Sequence, residues 1–327
     1  MSRRIPEAIA RRLRIPAIAA PMLRVSGPEL TVATCAAGAI GAFPTANARS
    51  VEELDAWFAR IRDALAAAED RTGRPAAPPC PNLIVRNPRF ADDLACAARN
   101  GMELVITSVG SPRDAIGPIH DVGGLVFADV ASVRHVERAA EAGADGLILL
   151  TAGAGGQTGW ANPFAFARAA RAIFDGPIVL AGGISDGRSL LAALALDCDL
   201  AYMGTRFIAT SESRADPAYK AMLTGASLDD VLLTRAFTGL QTNMLRPSIL
   251  AAGLDPDRLD EEMDAARARE EYGGAAEAGR PRRWKDIWSA GHSVSGVDAV
   301  MDAGALVERI AEELREAVAA MAGQGAA

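Results

Sequence analysis

One stretch concentrates the chemistry this chain could do: Thr151-Ala-Gly-Ala-Gly-Gly-Gln-Thr-Gly159. Glycines let a backbone approach a flat or anionic ligand with no Cβ in the way. A plain turn would use the same residues. The pattern returns in Ala181-Gly-Gly-Ile184 and Met203-Gly-Thr-Arg206. Each of these follows a short apolar run, so each stands where a strand ends. Backbone N–H groups converging there hold a phosphate without any lysine. Gln157 stands inside the first stretch. Its amide donates and accepts hydrogen bonds but takes no proton near neutrality. His292, in Ser289-Ala-Gly-His-Ser293, is a titratable candidate; a surface histidine is the simpler reading. His120 precedes a strand and His135 lies in a helical stretch, away from strand ends. Cys35, Cys80, Cys96 and Cys198 are far apart with no CxxC, the pattern of buried, reduced thiols in a cytoplasmic chain. With the three histidines also scattered, no metal site is expected.

Such loops need a frame. Eight apolar runs predict strands at Ile15–Ala20, Ala39–Phe43, Asn82–Val85, Glu103–Thr107, Gly124–Asp129, Gly146–Leu150, Pro177–Ala181 and Leu200–Met203. Several lack alternation, as parallel strands covered on both faces do. Between them lie alanine-rich segments with helical spacing, such as Ser50–Glu69, Ser132–Ala142, Pro163–Phe174 and Arg188–Leu196. Ser132 and Asn162 stand where helix N-caps belong. The proline-rich Arg71–Pro81 reads as a loop. Strands alternating with helices predict a (β/α)8 TIM barrel; an open doubly wound sheet is the rival. In a barrel all three glycine stretches fall on the C-terminal face, and the last two follow strands seven and eight, a common phosphate site.

Past residue 211 the rhythm stops. The chain divides into a barrel at 1–211, a capping lid at 212–296 and a closing helix within 297–327. In the lid, Asp216–Thr224 and the charged Asp257–Tyr272 read as helices; Val297–Ala320 reads as the amphipathic closing helix. Trp160, Phe164 and Phe166 follow the first glycine stretch; the two phenylalanines suit helix packing.

The bulk numbers agree. With 327 residues, half of them apolar, one large core is affordable. The net charge of −7 argues against a nucleic-acid partner, because phosphate backbones need clustered Lys and Arg. The basic start (Arg3, Arg4, Arg11, Arg12, Arg14) is short and mixed with Glu7. The apolar Ile15–Met22 is broken by Pro16 and Pro21, which suits a first strand better than an export signal. No apolar run approaches the roughly 20 residues of a membrane helix.

Ala20-Pro-Met22, Pro81-Asn82-Leu83, the glycine stretch at 151–159, the AGGI at 181–184 and the MGTRF at 203–207 occur in one order across residues 15–210. In this the chain resembles the nitronate monooxygenase (2-nitropropane dioxygenase) family, related to flavin-dependent enoyl-acyl-carrier-protein reductases. The resemblance implies an FMN enzyme that oxidises nitronates or related activated carbon acids with O2. It implies that Met22 and Asn82 contact the flavin and that Gly155 lies near it. Gly182, Gly183, Gly204 and Thr205 would cradle its phosphate. Read without the resemblance, Met22 is equally core filler and Asn82 a strand-start cap. One departure stands out: relatives carry the catalytic histidine where this chain has Gln157, and often glutamine where it has His292. Hydride transfer to an enone or enoyl thioester, with NAD(P)H, is the alternative; a catalytically silent flavin-binding barrel is a third. Expected partners are a small-molecule substrate, with NAD(P)H or an acyl thioester, and a second copy in a homodimer.

Overall fold

The computed structural model describes residues 4–273 and 280–324. Arg3 of the basic start lies outside the described residues. Eight parallel strands close into a barrel: β1 (Ala17–Ala19), β2 (Ile40–Pro44), β3 (Pro79–Ile84), β4 (Leu104–Ser108), β5 (Leu125–Val130), β6 (Gly146–Leu150), then β8 (Ile178–Ala181) and β9 (Leu200–Met203), which returns to β1. The missing number, β7 (Gly156–Gln157), belongs to the first glycine stretch and lies outside the barrel. The rival open sheet is excluded by the β1–β9 pairing, where Ile18 registers with Tyr202.

Helices follow the strands as the periodicity predicts. Val51–Thr72 buries Leu54, Trp57, Phe58, Ile61, Leu65 and Ala68, one stripe of the helix surface. Ser50 caps its start, and Gly73, at φ 65°, ends it in the left-handed conformation. Ser132 and Asn162 accept hydrogen bonds from the first turns of the helices Val133–Glu141 and Pro163–Arg171. After β9 the helix is only four residues long, Thr205–Ile208. The place in the outer ring is taken by Ala303–Gln324, packed on Gly187–Ala195 and on Pro28–Ala36. Gly187 permits this: a Cβ there would collide with the Leu314 amide.

Three expectations are corrected. Strand β3 begins at Pro79, inside the segment read as loop. Its register with β4 starts only at Asn82, so its two prolines need no donor toward that neighbour. The charged helix covers only Ala265–Tyr272, capped by Asp264, because residues 257–264 form turns. The closing helix starts at Ala303; before it, Met301 bridges to Thr210.

The interior holds Ile18, Ile40, Cys80, Ile106, Phe127, Ile148 and Val179. Ile9, on the short helix Glu7–Ala10, and Ile5, just ahead of it, pack into this cluster and plug its N-terminal end. The basic start is therefore structural: Arg4 pairs with Asp197, Arg12 with Glu103 and Arg14 with Glu308. His120 meets Asp145 at 2.9 Å just ahead of β6, at that same end. All four cysteines are buried thiols. No helix among the described residues is long and apolar enough to cross a membrane.

Candidate active site

The first glycine stretch is not a free loop. After β6, residues Gly156–Gln157 form β7, the edge of an antiparallel sheet with β11 (Thr242–Leu245) and β10 (Val231–Thr234). Gln157 registers with Thr242 and Gly156 with Asn243. Asn243 is buried, and its Nδ2 donates to the carbonyls of Ala152 (2.9 Å) and Ala154 (2.7 Å). Sequence reasoning did not single out Asn243; its only signal was a polar residue just ahead of the apolar pair Met244-Leu245. Gln157 itself is exposed, and its carboxamide has no partner among the described residues.

A strap formed by residues 288–292 crosses beside this stretch. The Leu245 amide donates to the Trp288 carbonyl, and the Tyr219 hydroxyl donates to that of Ser289. Tyr219 and Trp288 stack with ring centroids 4.9 Å apart. The Gly291 amide donates to Thr205 Oγ1 at 2.9 Å, and the His292 amide donates to the Gly153 carbonyl at 2.9 Å. The strap so joins the loop after β9 to the glycine stretch after β6.

His292 is exposed, and the structure sets it beside the turn after β8. A Cβ placed on Gly153 would lie 3.3 Å from His292 Nδ1 and 3.2 Å from the Gly183 amide. The glycines divide into two kinds. At Gly155 a Cβ would press on the Gly291 amide, 2.7 Å away, and at Gly182 it would strike Thr151. Gly155 is glycine because the strap backbone crosses there, and Gly182 because the Thr151 hydroxyl fills the space and its φ is 115°. Around Gly183 and Gly204 there is room. A Cβ on Gly183 meets nothing within 4 Å, and one on Gly204 meets only Ala20 and Met22 Sδ, each at 3.6 Å. The amides of Gly183 and Gly204 donate to no acceptor among the described residues. Thr205 is buried with its Oγ1 already accepting from Gly291. Met22, Gly204, Thr205, Gly183 and His292 thus form one continuous rim.

The floor of the mouth holds two polar groups with no partner. Asn82 and Asp129 lie two residues beyond Cys80 and Phe127, on the strand faces that look into the barrel. Asn82 Oδ1 and Asp129 Oδ1 are both enclosed without a hydrogen bond. Burial raises the Asp129 carboxyl to about 7. Tyr202, opposite on β9, is pushed well above its ordinary value by burial first and then by Asp129. Sequence reasoning missed Asp129; a lone carboxylate in the apolar run GLVFADV was its signal. One further expectation fails nearby: Phe166 packs in the core, but Phe164 is exposed, as is Trp160.

The profile of the nitronate monooxygenase family matches residues 47–313. The chain belongs to this family. It is 28% identical over 280 residues to a nitronate monooxygenase of Paraburkholderia phytofirmans, spanning 74% of this chain and 76% of that protein. It is 27% identical over 278 residues to (3aS,4S,5R,7aS)-5-hydroxy-7a-methyl-1-oxo-octahydro-1H-indene-4-carboxyl-CoA dehydrogenase of Mycobacterium tuberculosis, spanning 83% and 72%. Among solved structures, FabK of Thermotoga maritima shares the fold, with a TM-score of 0.78, 24% identity and 99% of both chains covered. Nitroalkane oxidase of Streptomyces ansochromogenes aligns with a TM-score of 0.75 and 26% identity over 96% of this chain and all of that one. This membership makes the chain an oxidoreductase of a generally flavin-dependent family. The residues present fit such a group. Orphaned acceptors at Asn82 and Asp129 suit a ring bearing N–H groups, and the open glycines with free amides suit a phosphate.

Proposed function

We propose that this family member is an FMN-dependent oxidoreductase that takes small nitronates or related activated carbon acids as electron donors and O2 as acceptor. One observation carries the substrate class: Gln157, on the edge strand β7, has no ionisable atom. A nitronate arrives already deprotonated and asks only for hydrogen bonds to its oxygens, which a carboxamide donates. Bound FMN would supply the electron-accepting ring. The amides of Gly183 and Gly204 would hold its phosphate, with Met22 and Asn82 against the ring and Gly155, Gly182 and Thr205 shaping the turns around it. The segment 212–296 acts as a cap, since its strand β11 and its strap grip the glycine stretch. His292, beside the Gly183 turn, serves the anionic end of the cofactor more directly than the reacting carbon.

A second reading has its own support in the likeness to the carboxyl-CoA dehydrogenase. There the Gln157 amide would polarise a substrate carbonyl, and hydride would come from NAD(P)H or pass between ring and thioester substrate. One experiment separates these readings. Flavin released by denaturation is identified by mass, and the holoprotein is then mixed anaerobically with ethylnitronate, NADH or NADPH. FMN bleached by ethylnitronate fits the first reading. Bleaching by a nicotinamide fits the second, and FMN that no donor reduces fits a silent flavin-binding barrel. FAD, or no flavin after reconstitution, overturns all three. Gly204→Asp is the control for the phosphate position: its backbone is at φ −100°, so a side chain is tolerated, but a carboxylate beside a phosphate repels it. This variant is expected to fold and lose the flavin.

A further inference from the structure

We propose that Asp129 is the proton-holding residue of this site, placed at the floor of the barrel mouth to answer charge that arrives on a ring seated above it. This rests on the FMN reading. The carboxyl sits at the C-terminal end of β5, facing the interior, partly open and with Oδ1 enclosed. Nothing in the fold uses it: no hydrogen bond and no ion pair reaches its side chain among the described residues. A buried carboxyl without partners costs stability, so a position that keeps one calls for a ligand or a chemical use.

The groups facing it sharpen the assignment. From β3 come Asn82, which is neutral, and Cys80, whose thiol burial holds protonated. From β9 comes Tyr202, likewise held protonated. The interior positions of β6 are Ile148 and Leu150, which cannot ionise. No cation acts on the carboxyl; burial alone sets its titration at about 7, within the working range. Gln157 cannot hold a proton, and His292 lies at the Gly153–Gly183 side of the rim. Asp129 is thus the group at the floor that can change charge near neutrality.

The balance is one proton. Two electrons from the donor, a nitronate or a reduced nicotinamide, bring negative charge to the mouth. Above neutrality the Asp129 carboxylate then takes a proton from solvent, forming an O–H bond at Oδ1. It returns that proton when the electrons leave to O2. Below neutrality the proton is already in place and nothing is taken up.

The test is a pair of measurements on wild type and Asp129→Asn. The reduction midpoint of the FMN-loaded proteins is followed spectrally with dithionite from about pH 6 to about pH 9, either side of the titration. The two proteins should run parallel below about pH 7; above it the wild type should couple roughly one further proton per two electrons. Second, difference infrared spectra of flavin-free wild type, with Asp129→Asn as reference, should show a carboxyl titrating near neutrality. Parallel lines over the whole range, or a carboxyl titrating near ~4 like an ordinary aspartate, overturn the proposal. If neither protein retains FMN, the cofactor reading falls separately, and the infrared titration alone decides whether Asp129 holds a proton.

Discussion

Gln157 and His292 show how little a residue type says until its neighbours are known. Both were readable as departures at the two positions where the family resemblance places a titratable group or its partner. The fold then puts them in different settings: Gln157 on an edge strand paired with Thr242, His292 bound through its amide to Gly153. An amide at 157 predicts a preference for preformed nitronates over neutral nitroalkanes. It also predicts a pH profile without the limb that a histidine of ordinary pKa ~6.5 would give. Assaying Gln157→His, Gln157→Ala and His292→Ala with nitroalkane, nitronate and enoyl thioester checks this. Gln157→His should gain nitroalkane turnover. Gln157→Ala should lose at least ~10-fold on the preferred substrate, about 1.4 kcal/mol of transition-state stabilisation. A Gln157→Ala variant equal to wild type on all three would reduce the residue to loop lining. Wild type that handles nitroalkanes well and is silenced by His292→Ala would move the base to the strap.

The elements that matter are those that turn a flexible glycine stretch into a fixed one. Asn243 on β11 does this with two hydrogen bonds to Ala152 and Ala154. Removing it leaves two carbonyls unsatisfied, so Asn243→Ala should destabilise the fold by about 1–3 kcal/mol. Asn243→Asp should be worse, because it aims an acceptor at two acceptors. Urea unfolding measures the first effect. Limited proteolysis between residues 151 and 159 reports whether the stretch has loosened. An unchanged midpoint and unchanged cleavage in Asn243→Ala would mean that the β7–β11 ladder suffices alone.

For the whole molecule the buried carboxyl has a stability consequence, with a definite sign. The unfolded chain releases the Asp129 proton near the ordinary 3.8, whereas the folded chain keeps it to about 7. Between these values the folded state holds a proton that the unfolded state has lost, so stability falls as pH rises through that window and levels off above it. The gap amounts to about 4 kcal/mol at most. Flavin-free Asp129→Asn should therefore match wild type near pH 4 and be the more stable protein near pH 8. Chemical denaturation at the two values checks it. A wild type that does not lose ground to the variant at the higher pH would mean that water reaching this partly open carboxyl keeps it near its ordinary titration.

The barrel was legible because its information is local and repetitive. Short apolar runs such as Gly146–Leu150, too short for a helix, fit strands buried on both faces, and their alternation with helices such as Val133–Glu141 admits few closures. The three glycine stretches were legible for the same reason, since each stands immediately after a strand. The boundary errors at Pro79, Ala265 and Ala303 arose where charge patterns or prolines imitate another state and tertiary pairing overrides them. What the glycines are for was decided only by the fold. Gly155 yields to a crossing backbone and Gly182 to the Thr151 hydroxyl, while Gly183 and Gly204 face open space, and no spacing rule separates those cases. Asn243 escaped notice because its partners on the glycine stretch lie 91 and 89 residues away in the chain, and Asp129 because only closure of the barrel encloses the interior face of β5. A lone carboxylate in an apolar run reads as noise until closure of the barrel encloses it with no partner, as it does Asp129.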